Sequence, residues 1–412
     1  MRRHRIALAA TTSVAALLAV TACSSSGTTT ASASAKGGTY TFWDPYPQFD
    51  ASSAWAKLVD SCGTQAGVTI KRTALDTTDL ANKALLAGQQ GNLPDVMLVD
   101  NPVVSTLEEA GILNKMSDLG INTSSIQPNI IGAGTIDNAA YGVPIGANTL
   151  ALYYNTSVLA AAKVNPASIT DWSTLTAALA KVKAAGKKGI TFAAIGTEEG
   201  SFQFLPWFWG AGADLTTLNS AQGVAALSLW KGWVSDGYAP NDVLSNTQTT
   251  SWQEFATGQY AFGENGTWQL ANADKAGFKY GIIDIPSENG GAAPTPTGGE
   301  FVTVPVQKDT SRYTTTEKIV NCLTSDTNLV ATDTTLSYIA PTSAAQATQV
   351  AANAELKPWV TAVSTAKGRT SDGLGTKYPV ISQQMWTAVQ SALSGGQSPQ
   401  AALTAAQAAA TK

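Results

Sequence analysis

The stretch Pro94-Asp95-Val96-Met97-Leu98-Val99 decides the fold of this 412-residue chain. Its unbroken Val-Met-Leu-Val run predicts a strand that is buried on both faces. Two earlier strands are predicted at 39–43 and 68–72, and helices are predicted at 53–65 and 78–89 between the strands. Strands and helices that alternate in this way predict a parallel sheet with helices on both sides.

The same alternation continues through the rest of the chain. Asp171 is predicted to cap a helix through residue 185, with Gly186 closing it, and Ser398-Pro399 to start the last helix. Residues 286–299 form a loop rich in Pro and Gly. About 375 folded residues exceed one comfortable core. The fold class is therefore predicted as α/β with two lobes.

The first 37 residues are predicted to be an export signal followed by a linker, and not part of the folded core. Arg2, Arg3 and Arg5 precede a short apolar run that polar residues interrupt, which is typical of a signal peptide at 1–22 and not of a membrane span. Val20-Thr21-Ala22-Cys23 resembles the lipobox of bacterial lipoproteins, so we expect Cys23 to carry lipid; a plain cleaved signal is the alternative. Residues 23–37 are predicted to be a flexible tether.

Composition excludes several classes of function. The only histidine is His4, so the exported chain would have no His general base, no His-dependent nucleophile and no His metal ligand. Residues 1–22 hold three arginines and no acid, which leaves 22 basic against 29 acidic residues, a charge of −7 that argues against nucleic acid. There is no phosphate-binding glycine loop. We expect no cofactor and no metal, and carboxylate chemistry alone remains for an enzyme.

Two cysteines remain after lipidation, Cys62 and Cys322. An even pair in an oxidising extracellular setting favours a disulfide. Both lie in helix-like segments, so a disulfide would join an early element to a late one. Two separately buried thiols are the alternative.

The order of short motifs resembles a known family. The motifs are Leu93-Pro94-Asp95-Val96, Leu107 to Leu113, Met116 to Leu119, Tyr141 to Pro144, Leu152 to Asn155, Asp171 to Leu175, Trp209 to Asp214, Phe255 to Phe262, Gly266-Thr267-Trp268, Tyr378-Pro379 and Ser398 to Leu403. Taken together, they are similar to the extracellular solute-binding proteins of ABC-type sugar importers, the maltose-binding-protein-like sugar-binding lipoproteins.

This resemblance implies an architecture and a set of partners. One lobe would comprise 38–146 and 298–340, and the other 147–297 and 341–412, with several crossovers at a hinge. Each lobe would be a mainly parallel sheet flanked by helices. A sugar would bind in the cleft between the lobes, at the carboxyl ends of the strands. The closed form would dock on a membrane permease driven by a separate ATPase. We expect a monomer on the extracellular face of a Gram-positive membrane, attached through the N-terminal lipid only.

Candidate ligand contacts are those that suit a sugar, whose hydroxyls need carboxylates and amides and whose C–H faces stack on aromatic rings. Trp268 matches the family's Gly-x-Trp position, where an indole stacks on the sugar. Trp43 and Asp44 end the first strand and Asp100 ends the third, at the expected cleft edge. The alternatives are lobe packing for the tryptophans and helix capping for Asp100.

Further candidates follow the predicted crossovers and loops. They are Asn148, Glu199, Glu264, Gly299 and Glu300. Asn148 follows the first crossover, and Gly299 and Glu300 enter the last one. Glu199 falls near a carboxylate position that some relatives use, and Glu264 precedes the Gly-x-Trp loop. Trp207 and Trp209 are interpreted as core, because they lie in a dense apolar run.

One segment departs from the family pattern. Tyr338 to Ser343 occupies the place where many relatives carry Gly-x-Ile-Pro and a basic residue. Without that arginine, a preference for acidic sugars is in doubt. Other functions stay open: a receptor for a polyamine or a peptide, a carboxylate-dependent glycoside hydrolase, or a structural lipoprotein of the cell wall.

Overall fold

The computed structural model describes residues 37–370 and 374–411. The predicted signal peptide, the predicted tether up to residue 36 and the predicted lipidation site Cys23 lie outside the described residues. The strands are β1 Thr39–Asp44, β2 Thr69–Ala74, β3 Val96–Asp100, β4 Thr135–Ile136, β5 Ala139–Ala140, β6 Val143–Pro144, β7 Leu150–Asn155, β8 Lys188–Thr191, β9 Tyr260–Gly266, β10 Tyr280–Ile283, β11 Pro296–Thr297, β12 Glu300–Thr303 and β13 Lys367–Gly368.

Helices separate most of these strands. They are α1 Ala54–Gln65, α2 Thr77–Gln90, α3 Asn101–Glu109, α4 Pro128–Ile131, α5 Thr156–Ala161, α6 Trp172–Ala184, α7 Glu198–Gly210, α8 Ala221–Ser235, α9 Gln248–Ala256, α10 Leu270–Ala273, α11 Tyr313–Leu323, α12 Asp326–Leu336, α13 Ser343–Ala352, α14 Lys357–Thr365, α15 Tyr378–Leu393 and α16 Pro399–Ala410. Short 3₁₀ turns complete the connections. Among the described residues, no helix is both long and apolar enough to cross a bilayer.

Lobe I is built on a five-stranded sheet in the order β2-β1-β3-β12-β6. Strand β3 is buried on both faces, as predicted: Val96 and Leu98 join one apolar cluster, whereas Met97 and Val99 join another. The predicted β-α-β-α-β unit is confirmed, because β1 pairs with β2 and with β3 in parallel.

Lobe II is built on a four-stranded sheet in the order β10-β7-β9-β8. Its core contains the aromatic side chains of α7 and α8, together with α6, α15 and α16. The predicted helix ends are observed: the Asp171 carboxylate accepts from the Thr174 N–H at 2.8 Å, and Ser398 caps the last helix. Gly186 follows α6 with a φ of 69°, a left-handed conformation that favours glycine.

Both sheets are mixed, which corrects the expectation that each is mainly parallel. Strand β12 runs antiparallel to β3 and β6, and β7 runs antiparallel to β9 and β10. The chain enters β12 directly from a crossover, at the edge where β1 and β3 end. Because β12 starts at the edge where β1 and β3 end, it runs antiparallel to them.

Three chain segments lie side by side where the lobes meet. Ala147 bridges Ile339, and Asn148 bridges Gly298. Helices α15 and α16 pack with α7 and α8, whereas α13 packs on α12 of lobe I. The sheet of lobe I lies within 38–146 and 298–340, and that of lobe II within 147–297; the lobe limits themselves stay a prediction.

The structure contains a disulfide between Cys62 of α1 and Cys322 of α11, with the Cα atoms 5.5 Å apart. Both helices belong to lobe I, and they pack against each other. The bond therefore links residues 260 positions apart within one lobe.

Candidate ligand-binding cleft

A cavity of about 820 Å³ opens between the two lobes, where β1 and β3 end and where α7 and α9 begin. Aromatic side chains form part of its lining: Tyr46, Phe49, Phe202, Trp252, Trp268 and Tyr338. Side-chain amides form another part: Gln48, Asn148, Gln248, Gln253, Gln269 and Asn272. The charged residues of the described lining are Asp100, Glu198, Glu199, Glu300 and Arg369.

Most of the predicted ligand contacts come together in this cleft. The residues that line it are Asp100, Asn148, Glu199, Trp268, Gly299 and Glu300. Trp43, Asp44 and Glu264 do not line it. Trp207 and Trp209 lie in the core of lobe II, where the sequence interpretation placed them.

Trp268 is held at the cleft by the glycine two residues before it. The indole lies against Gly266, where an added Cβ would come within 2.1 Å of the ring. Its other neighbour is the Phe202 ring, whose centroid is 6.2 Å away. Trp268 remains half-buried. The Gly-x-Trp spacing thus lets the indole pack closely against the backbone while it lines the cleft.

Asn148, Gly298 and Gly299 meet at the crossovers. Asn148 and Gly298 exchange two backbone hydrogen bonds of 3.2 and 2.9 Å. A Cβ at Gly298 would lie 2.0 Å from the Asn148 side-chain oxygen. Gly299 has a φ of +112°, and a Cβ there would meet the Gly146 carbonyl oxygen at 2.4 Å. Small residues are required here because the segments at 146–148 and 298–299 approach each other closely.

Glu300 begins β12 directly opposite Asp100 of β3. The Tyr46 hydroxyl donates to Glu300 Oε2 at 2.6 Å, and the Tyr338 hydroxyl donates to Oε1 at 3.4 Å. Burial, followed by the charge of Asp100, raises the pKa of Glu300 to about 7. Near neutral pH, this carboxyl group is therefore present in both protonation states and can donate to or accept from a hydroxyl.

Glu199 couples two helices of lobe II at the cleft. Its Oε2 accepts the backbone N–H of Gln248 at 2.7 Å, at the first residue of α9. A carboxylate at that end of a helix is favoured by the unpaired N–H groups and the helix dipole. The carboxylate of the neighbouring Glu198 instead accepts a hydrogen bond from the Tyr378 hydroxyl at 2.6 Å and forms an ion pair with Arg369.

The carboxylate of Asp44 is fully engaged in contacts within lobe I and does not reach the cleft. Its carboxylate is fully buried and accepts from Arg72, from Trp55 Nε1 at 3.1 Å and from the Tyr46 N–H at 3.1 Å. Trp43 packs against an apolar cluster of lobe I, with Lys83 Nζ 4.5 Å from its ring centroid. Both residues end β1 as predicted, but Asp44 is buried against Arg72 and Trp43 packs within its own lobe.

Glu264 is also buried away from the cleft, inside lobe II. Its Oε2 accepts Trp207 Nε1 at 2.8 Å, and its Oε1 has no partner among the described residues. Burial raises the pKa of Glu264 well above its ordinary value. The dense tryptophan core supplies one hydrogen bond, which does not compensate for the loss of water.

We expect Glu264→Gln to stabilise the protein at high pH. A carboxyl group whose pKa is raised by folding contributes a stability that falls as pH increases above its unfolded pKa, since the unfolded chain releases the proton more readily. The neutral amide removes that pH dependence. The melting temperature should be unchanged near pH 4 and higher by about 2–4 °C at pH 8, as measured by calorimetry. Glu109→Gln, the same change on an exposed helix position, should show no such trend; equal behaviour of the two variants would contradict the prediction.

Arg369 is the cleft residue that sequence reasoning missed most clearly. It is buried and pairs with Asp100 and Glu198. One signal could have found it: arginine occurs only three times after residue 22, at Arg72, Arg312 and Arg369, whereas the other basic residues are lysines. Each of the three forms an ion pair. Arginine in a lysine-rich chain is typical of positions that need a forked pairing with carboxylates.

A family model for the bacterial extracellular solute-binding proteins matches residues 57–358. The chain belongs to this family, which confirms the resemblance stated above. The maltodextrin-binding protein MdxE of Bacillus subtilis is 27% identical over 257 residues, 56% of this chain and 57% of that protein. A maltooligosaccharide ABC transporter solute-binding lipoprotein of Streptococcus pneumoniae is 26% identical over 251 residues, 57% of each chain. The matches thus span little more than half of these relatives.

Solved structures of the same fold cover nearly the whole chain. The GacH receptor of Streptomyces glaucescens, solved unliganded and with acarbose, superposes with a TM-score of 0.78 at 24% identity and covers 90% of this chain and 97% of that one. Maltose-bound MalE3 of T. maritima gives a TM-score of 0.79 at 17% identity, with 91% and 99% coverage. The predicted two-lobed binding-protein fold is confirmed.

Proposed function

We propose that this protein is the receptor of an ABC-type importer and binds a neutral sugar or oligosaccharide in the cleft between its lobes. The observation that carries the proposal is Trp268, a half-buried indole fixed on Gly266 at a cleft lined by amides and tyrosines. Indole faces stack on sugar C–H surfaces, and amides suit hydroxyls. The cavity of about 820 Å³ is large enough for a small ligand. The named functions of the maltodextrin and maltooligosaccharide relatives support the same class of ligand.

The state of the cleft acids supports a sugar over a polyamine. A polyamine site would present several unpaired carboxylates and few amides. In the described lining, amides outnumber acids. Asp100 and Glu198 pair with Arg369, Glu199 accepts from α9, and Glu300 accepts from two tyrosines. Two carboxylates already compensate the charge of Arg369. The arginine therefore gives no support to a preference for acidic sugars.

The proposal includes anchoring and delivery. Residues 1–22 would be removed as a signal peptide, and Cys23 would carry the lipid that holds a monomer at the extracellular face of a Gram-positive membrane. The relative from Streptococcus pneumoniae is named a lipoprotein, which supports this anchor. Ligand contacts from both lobes would favour the closed form, and that form would dock on the permease. The protein would release its ligand chemically unchanged.

A thermal-shift screen of residues 37–412, the compact unit of the chain, tests the ligand class. Mono-, di- and oligosaccharides, polyamines, amino acids and peptides are compared. A ligand at a hundredfold its Kd should add about 2.7 kcal/mol to the free energy of unfolding, a shift of several degrees. A sugar recovered intact supports the proposal. Shifts confined to amines or peptides reject the sugar, and a cleaved sugar would indicate a hydrolase.

Trp268→Ala should weaken the binding of the sugar found in that screen by about 1–3 kcal/mol, because the stacking surface is lost. The measurement is titration calorimetry. Trp43→Ala is the matched control, since Trp43 is also half-buried but lies outside the cleft. Equal affinities of the two folded variants would remove Trp268 from the site, and a selective loss in Trp43→Ala would relocate the site.

A further inference from the structure

A single guanidinium group joins the two lobes at the cleft. Arg369 follows β13 and is 2% exposed. Its Nη2 donates to Asp100 Oδ1 at 2.7 Å, and its Nη1 donates to Glu198 Oε1 at 2.6 Å and to Asp100 Oδ2 at 3.2 Å. One nitrogen therefore contacts two carboxylates at once.

The two carboxylates belong to different lobes, and each is held there by other contacts. Asp100 ends β3 of lobe I and accepts the Asn101 N–H at 2.9 Å, at the start of α3. Glu198 begins α7 of lobe II and accepts from Tyr378 and Ser382 of α15. Neither acid needs Arg369 to stay on its own lobe. The guanidinium thus acts between the lobes rather than within one.

Arg369 itself is placed by the crossover region. Strand β13 pairs in parallel with β11, directly before Gly298. The guanidinium carbon lies 4.9 Å from the Phe202 ring centroid, and Nη2 also donates to Asn101 Oδ1 at 3.1 Å. Aromatic stacking and several acceptors hold a planar fork in one orientation.

We propose that Arg369 is a positioning residue that sets the spacing of the lobes in the ligand-free protein. Without its charge, the carboxylates of Asp100 and Glu198, which are 18% and 32% exposed, would face each other across the place of the shared nitrogen. Their partial burial strengthens the repulsion between them, and the repulsion is relieved when the lobes move apart. The proposal rests on the proposed function only in taking this cleft as the binding site; the spacing can be measured without any ligand.

The experiment measures the distance between the lobes in the full chain, purified in detergent without ligand. Fluorophores on bioorthogonal amino acids replace Lys57 of α1 and Lys181 of α6, both exposed and on opposite lobes. Energy transfer should report a longer mean separation in Arg369→Met than in the wild type. Arg369→Lys, which keeps the charge but not the fork, should lie between them. Arg312→Met is the matched control, because Arg312 pairs with Asp95 within lobe I, and its separation should equal that of the wild type.

A neutral triple variant separates charge repulsion from lost packing. Arg369→Met combined with Asp100→Asn and Glu198→Gln removes the cation and both anions, so the separation should return toward that of the wild type. It also serves as the test if Arg369→Met alone does not fold. An unchanged separation in folded Arg369→Met overturns the proposal. The repulsion mechanism is overturned if the lobes of the triple variant are as far apart as those of Arg369→Met. If Arg369→Met does not fold, a lobe separation in the triple variant clearly longer than that of the wild type overturns the mechanism. None of these outcomes depends on which ligand binds.

Discussion

Replacing Arg72 by methionine is expected to destabilise the protein by about 3–5 kcal/mol, because it leaves the Asp44 carboxylate buried without a counter-charge. Asp44 is fully buried, and Arg72 is 14% exposed. The guanidinium donates to both carboxylate oxygens and to the backbone carbonyls of Tyr46 and Phe49. All of these acceptors would lose a partner in the variant. The free energy of unfolding in urea gives the measurement.

A double variant tests this explanation. Asp44→Asn together with Arg72→Met removes both charges, so it should be clearly more stable than Arg72→Met alone. Two variants of equal stability would contradict a penalty from uncompensated charge. Affinity for the ligand identified in the thermal-shift screen should also fall in Arg72→Met, because the Arg72 contact to the Tyr46 carbonyl fixes the loop that presents the Tyr46 hydroxyl to Glu300.

Removing the disulfide is the second change with a large expected effect. The bond closes a loop of 260 residues, and closing so long a loop restricts the unfolded chain strongly. Cys62→Ala with Cys322→Ala should therefore lower the free energy of unfolding by about 2–5 kcal/mol. Neither cysteine lines the cleft, so ligand affinity should stay unchanged.

Reduction provides the control for the cysteine variant. Dithiothreitol should lower the melting temperature of the wild type to a value near that of the double alanine variant. The variant itself should not respond to the reductant. A wild-type melting temperature that does not change on full reduction, as verified by mass spectrometry, would show that the bond contributes little to stability.

Local sequence patterns predicted the elements well where the signal is itself local. The buried run at Val96 and the caps at Asp171 and Ser398 depend on neighbours within a few residues, and the structure shows each of them. The Gly266-Thr267-Trp268 turn is of the same kind, since glycine makes room for an indole two positions later.

Contacts between distant segments could not be predicted in the same way. Asp44 and Asp100 both end strands of one sheet, yet Arg72 buries the first while the second lines the cleft. Glu264 lies within β9 and its carboxylate is buried in a tryptophan core, whereas Glu300 begins β12 at the cleft. The sequence shows an acid at or near a strand end in each case, but not which cation or ring the fold brings to it.

By itself, the sequence determined the α/β class, the β-α-β-α-β unit of lobe I and the family, because strand burial, helix caps and ordered motifs are written in residues close together in the chain. Only the tertiary structure decided the antiparallel return of β12, the burial of Asp44 and Glu264, and the place of Arg369 between Asp100 and Glu198. The physical reason is that these features depend on contacts across up to 269 positions of the chain. Such contacts form only when distant elements pack together, within a lobe or between the lobes, so no local pattern predicts them.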